Sequence, residues 1–247
     1  MEARQVRTTP SSQAAREVPA LSEDGLRGAD QKPAGMRTVV ACIMFAIAFG
    51  AAPASAAPRV ISFIGDSATS ALYSPPGYPV LVGKILGVKI HNLAVKYPPS
   101  YNIIQALQEE LPHVPADTTD VVLFLGVDDL ASLANKDRPL AAVEAANAEI
   151  VATLRARKIR VYQLTIRDYT QDPMFFPRPY DRPTMPRIRY FVHELNASFR
   201  KNPDVTIVEA PSWSDVYAGK WSTDGIHFGP QALRRFARHV ADALRDH

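Results

Sequence analysis

Arg59 to Ser67 reads RVISFIGDS, a short apolar run rich in β-branched and aromatic residues that stops at Gly65-Asp66-Ser67. Such a run suits a strand buried in a sheet, and the Gly-Asp-Ser that closes it suits a turn. Ser67 would then stand at the strand's carboxyl end, facing solvent. Taken alone, the tripeptide is weak evidence of chemistry, because glycine followed by a helix-capping Asp or Ser is ordinary punctuation between elements.

The rest of the chain repeats the pattern set by this strand. Tyr78 to Leu86 has helical spacing and stops at Gly87, whereas Val88 to Leu93 alternates like a strand. Ile103 to Leu111 reads as a helix, and Val121 to Leu125 (VVLFL) as a strand covered on both faces. Leu140 to Arg157 is a longer helix, Arg160 to Ile166 a fourth strand, Met185 to Lys201 a helix, Val205 to Val208 a fifth strand, and Pro230 to Leu244 a closing helix. This alternation predicts a three-layer α/β/α sandwich around a mostly parallel five-stranded sheet, with ligands bound at the carboxyl ends of the strands. One long irregular stretch, Arg167 to Arg187, is dense in proline and aromatic residues. It reads equally well as a substrate-lining lid and as a surface loop packed by its own rings.

The first 57 residues do not fit this fold. Residues 1–35 are polar and lack apolar periodicity, which reads as a disordered leader or a mis-called start. From Met36 the chain gives Met36-Arg37, an apolar run from Thr38 to about Ala52, and the small-x-small site Ala54-Ser55-Ala56. That is the pattern of a secretory signal over residues 36–57, too short for a comfortable membrane span. An uncleaved anchor is the competing reading if translation begins at Met1, and would be the domain's one connection to a membrane. Either reading gives a periplasmic or secreted domain over residues 58–247. Cys42, which lies in the segment to be removed, is the one cysteine in the chain. Its loss leaves the domain with no disulfide, thiolate nucleophile or cysteine metal site.

Residues 58–247 suffice for one domain, and a chain of that size buries about 70% of its unfolded surface without a staple. The whole chain carries 28 Lys and Arg against 25 Asp and Glu; removing residues 1–57, with six basic and five acidic residues, leaves 22 against 20. The charges are interspersed and form no basic stripe to track a phosphate backbone, which argues against nucleic acid as a partner.

Near the C-terminus lies TDGIHFGP, with Asp224 three residues before His227 on a turn ahead of the closing helix. A carboxylate so placed can accept from one ring nitrogen and leave the other facing a hydroxyl, the arrangement a serine needs to lose its proton. The bland alternative is that Asp224 caps the helix and His227 is a surface side chain. No histidine pair has metal-ligand spacing beside a carboxylate cluster, so no metal site is expected. Trp213 and Trp221, just upstream of Asp224, suit either stacking on sugar rings or the wall of the site.

FIGDSATS near the start and DGIHFGPQALRRFARHVADAL at the end resemble the first and last blocks of the SGNH (GDSL-type) hydrolase superfamily, with YPVLVGKILGVKIHNLAV and VVLFLGVDDL in similar order between them. The resemblance spans residues 58–247. It implies a flavodoxin-like three-layer fold, no metal or organic cofactor, and ester hydrolysis or acyl transfer through a seryl intermediate. Ser67 would be the nucleophile and donate one oxyanion hydrogen bond through its backbone N–H, His227 would be the base, and Asp224 would orient His227.

Two blocks depart from the family pattern. In HNLAVKYPPSYN, Asn92 is in place, but Tyr97 stands where a glycine would point its N–H at the oxyanion, and Pro98 restricts Tyr97 to extended conformations. The third block reads Gly126-Val127-Asp128-Asp129 in place of Gly-x-Asn-Asp. An ionised Asp128 donates nothing and repels the charge forming on the substrate oxygen. Loss of one such donor typically lowers the rate by about 10² to 10³. Three accounts stand: Asp128 is held protonated and donates; Lys96 pairs with Asp128 and presents its ammonium; or Asp128 and Asp129 merely cap the helix beginning near Leu130. The expectation is a serine esterase or acyltransferase of weakened activity, acting on an acylated small molecule or a cell-envelope polysaccharide. The rival from another class is a non-catalytic polysaccharide-binding protein, and lipase activity would need a wide apolar cleft that only the 167–187 loop could supply.

Overall fold

The structure, a computed structural model, describes residues 58–72, 74–94, 102–168, 184–211 and 226–246. The chain divides into two units, Met1–Pro53 and Ala54–His247, and every described residue belongs to the second. Residues 1–57, read above as a leader and a secretory signal, lie outside the described residues.

Five strands form one sheet: β1 (Val60–Gly65), β2 (Lys89–Asn92), β3 (Asp120–Phe124), β4 (Arg160–Leu164) and β5 (Thr206–Val208), in the order β2-β1-β3-β4-β5. All four pairings are parallel. β1 and β3 are buried throughout, Ser62 and Asp120 included, as suits near-continuous apolar runs in strands covered on both faces. The helices are α1 (Tyr78–Leu86), α2 (Ile103–Gln105), α3 (Asp129–Asn135), α4 (Leu140–Ala156), α5 (Met185–Lys201) and α6 (Pro230–Arg245). From β1 the chain steps outward to β2, then crosses back over β1 to β3 and continues in the opposite direction. Right-handed crossovers running in opposite directions put their helices on opposite faces, which makes three layers. The direction reverses between β1 and β3, the place at which ligands bind in open α/β sheets.

α1 and α6 share a face. Tyr78 stands edge-on to Phe63, Phe124 and Phe236, with ring centroids 5.6, 6.1 and 4.9 Å away. Each helix starts with a proline in its first turn, and α1 ends on Gly87 in the left-handed conformation that its sequence predicts.

The expected helix from Ile103 to Leu111 is broken. After α2, Ala106–Glu110 makes a π-helical turn that closes with Leu111 N–H on the Ala106 carbonyl, and Leu111–His113 tightens into a 3-10 turn. Pro112 has no N–H to carry an α-helical ladder forward, so the segment resolves its hydrogen bonds by widening and then tightening. β5 begins at Thr206 and not Val205, and β4 ends at Leu164 and not Ile166, the usual fraying of element ends.

Candidate active site

The carboxyl end of β1 is built for close approach. Gly65 pairs in register with Phe124, and a Cβ on Gly65 would collide with the Thr69 side chain and lie 2.8 Å from the Phe124 carbonyl oxygen. Only glycine lets the next residues turn this tightly. Asp66 then sets the turn: its carbonyl accepts from Thr69 N (2.9 Å) and Ser70 N (3.2 Å), and its Oδ1 from Ala68 N (3.0 Å). Ser67 stands half-exposed at the apex.

From the other end of the chain, His227 arrives at the same place. Its Nε2 lies 3.0 Å from Ser67 Oγ, across a separation of 160 residues. The peptides on either side of His227 are anchored. Arg167 Nη2 donates to the Ile226 carbonyl (3.3 Å), and Ser74 Oγ donates to the Phe228 carbonyl (2.8 Å). The Phe228 ring stacks on Phe236 of α6 with centroids 4.5 Å apart, and the Arg167 guanidinium sits 5.1 Å from its centroid. Asp224 lies outside the described residues, as do Lys96, Tyr97, Trp213, Trp221 and residues 169–183 of the proline-rich stretch.

Asn92, at the end of β2, uses its polar atoms locally: Nδ2 donates to the Thr69 carbonyl (3.1 Å), and Oδ1 accepts from Ala94 N (3.2 Å). It braces the turn that carries Ser67. At the end of β3, Gly126 takes φ +107°, and a Cβ there would lie 2.6 Å from Ile166 Cδ1. Asp128 follows at the N-terminus of α3, yet its carboxylate makes no capping hydrogen bond. The simple capping account therefore fails for Asp128. Asp129 is engaged elsewhere as well: fully buried, it accepts from Ile103 N (2.9 Å) and from Arg138 Nη1 (3.0 Å), which ties α2 to the loop after α3.

Around the serine turn lies a set of buried acids: Asp66 and Asp129, read from the sequence only as caps, and Glu110, which the sequence reading passed over. Burial pushes the Asp66 carboxyl well above the usual carboxylate range, and the nearby negative charge of Asp128 pushes it further. Glu110, on the π-helical turn, is buried and accepts from Gly65 N through Oε2 (3.2 Å). Burial pushes its carboxyl up to about 8. Burial also raises Asp129, opposed by the Ile103 N–H and by Arg138. The available signal was Glu110's position seven residues after Ile103, on the same helical stripe. Arg167 and Ser74 left no such signal, because each acts on the backbone of a residue distant in sequence.

The described domain has the fold of the GDSL-type, or SGNH, hydrolases. Over 76% of this chain it superposes on 99% of TesA, with 22% identity and a TM-score of 0.53. A GDSL-like lipase from Bacteroides thetaiotaomicron VPI-5482 matches at 15% identity and TM-score 0.55, covering 76% of this chain and 88% of its own. The acetyl xylan esterase AlAXEase matches at 17% identity and TM-score 0.54, covering 76% and 98%. At these identities the likeness establishes the fold. No protein-family model matches the sequence, and no curated protein matches it significantly.

Proposed function

We propose that this protein is a serine hydrolase of the SGNH type that cleaves or transfers ester-linked acyl groups in the cell envelope, with Ser67 as nucleophile. The observation that carries this reading is the 3.0 Å contact between Ser67 Oγ and His227 Nε2 at the carboxyl ends of β1 and β3. At that distance His227 takes the hydroxyl proton as Ser67 Oγ attacks the ester carbonyl carbon. The alkoxide leaves with that proton; water or an acceptor alcohol, deprotonated by the same imidazole, then attacks the acyl carbon, and the acyl–Ser67 bond breaks as the imidazolium returns its proton to Ser67 Oγ. Asp224 is assigned to steady the other ring nitrogen, and the Ser67 N–H to bind the oxyanion. The secretory-signal pattern read in residues 36–57 is what supports this compartment. An O-acylated polysaccharide is the favoured substrate class, by analogy with the acetyl xylan esterase that shares the fold.

Asp128 favours a second reading, a polysaccharide-binding protein that keeps the fold without turnover, because a carboxylate stands where an oxyanion donor belongs. A fluorophosphonate probe separates the two. Labelling of the folded protein that disappears in Ser67→Ala supports the hydrolase, and folded parent protein that stays unlabelled supports the binder.

A further inference from the structure

We infer that Arg167 is a positioning residue for His227, holding the imidazole within reach of Ser67 by gripping the residues on both sides of it. This rests on the serine-hydrolase reading of the site. A single guanidinium bonds the Ile226 carbonyl at 3.3 Å and faces the Phe228 ring at 5.1 Å, so Arg167 touches the chain immediately before and immediately after the histidine. Its own footing is firm. Arg167 is buried, and the preceding residue, Ile166, has both backbone groups held by Asn196 of α5: Ile166 N donates to Asn196 Oδ1 (2.7 Å), and Asn196 Nδ2 donates to the Ile166 carbonyl (2.6 Å). α5 thus fixes the segment that leaves β4, that segment fixes Arg167, and Arg167 holds the turn bearing His227. Ser74 completes the clamp through the Phe228 carbonyl (2.8 Å), coming from the loop that follows Ser67 itself.

The chemistry requires arginine. A planar guanidinium can lie against a ring and donate in its own plane at once, whereas a lysine ammonium is a point charge with no plane to stack. Displacing a catalytic group by about 1 Å can lower the rate by about 10²-fold without altering substrate binding. Loss of Arg167 should therefore appear in kcat and leave KM nearly unchanged.

The test uses the full chain with Arg167→Ala and Arg167→Lys, p-nitrophenyl acetate as substrate and the fluorophosphonate probe on the same samples. The expected result for Arg167→Ala is a fall in kcat of about 10²-fold with KM within a few-fold of the parent, and partial recovery in millimolar guanidinium, which refills the vacated site. Arg167→Lys should recover little of the loss; if the alanine variant does not fold, the lysine variant alone decides, by the same split of kcat against KM. The inference is overturned if folded variants keep the parent kcat, or if the loss falls in KM and guanidinium does not rescue. Parent protein that is labelled at Ser67 and turns over while the variants match it sinks the inference alone. Parent protein that is folded and unlabelled sinks the proposed function and takes the inference with it.

Discussion

Replacing Glu110 by glutamine should reverse the order of stability of parent and variant between acid and alkaline pH. Glu110 is 2% exposed, its Oε2 accepts from Gly65 N at 3.2 Å, and its Oε1 has no hydrogen-bond partner among the described residues. Burial lifts its carboxyl from 4.5 to about 8. Between those values the native state holds a proton that the unfolded chain gives up. The stabilisation is therefore fully present below about 4.5, declines as pH rises and is gone above about 8. The slope is about 1.4 kcal/mol per pH unit, so this one group removes on the order of 4 to 5 kcal/mol across the window. Glutamine keeps the shape and the acceptor for Gly65 N, cannot ionise, and buries an amide N–H₂ at a cost of about 1 to 3 kcal/mol. The variant should be the less stable protein near pH 5, by about 1 kcal/mol, and the more stable one near pH 8, by about 2 kcal/mol. Urea unfolding followed by circular dichroism at half-unit pH steps reads this directly. Stability curves of parent and variant that run parallel from pH 5 to pH 8 would refute a proton held on Glu110.

Two further outcomes follow from the acids around the serine turn. Asp128→Asn supplies an amide donor beside the serine turn and removes the negative charge that opposes ionisation of Asp66, so ester turnover should rise by about 10²-fold; a fall in kcat would show instead that the carboxyl itself assists the reaction. Arg138→Met leaves Asp129 buried without its cation and should lower unfolding free energy by about 3 kcal/mol in urea melts at neutral pH, whereas a loss below about 1 kcal/mol would mean that the pair is no more than a surface contact.

The features legible in the sequence were those carried by local pattern. VISFIG and DVVLF announce strands buried on both faces because nothing polar interrupts their inner positions, apart from Ser62 and the leading Asp120. Ser67 and His227 were legible as a pair although 160 residues separate them, because each follows or precedes an element whose direction the alternation fixes. What stayed hidden depends on three-dimensional neighbours. Glu110 passed unremarked and Asp129 read as a helix cap, yet both point inward to satisfy Gly65 N and Ile103 N, backbone groups that no sequence pattern shows to be in want of acceptors. The capping role considered for Asp128 failed for a similar reason: the residue has the right place but makes no side-chain capping hydrogen bond. Arg167 read as the start of a loop, and only the packing of Phe228 and Ile226 against it gives it a role.

The contact between the first strand's serine and the final turn's histidine also sets the order of events in biosynthesis. Ser67 leaves the ribosome 160 residues ahead of His227, and until the last segment folds back beside it the hydroxyl has no base. On the reading proposed above, a chain that stops short of His227 lacks the base and is inert toward esters.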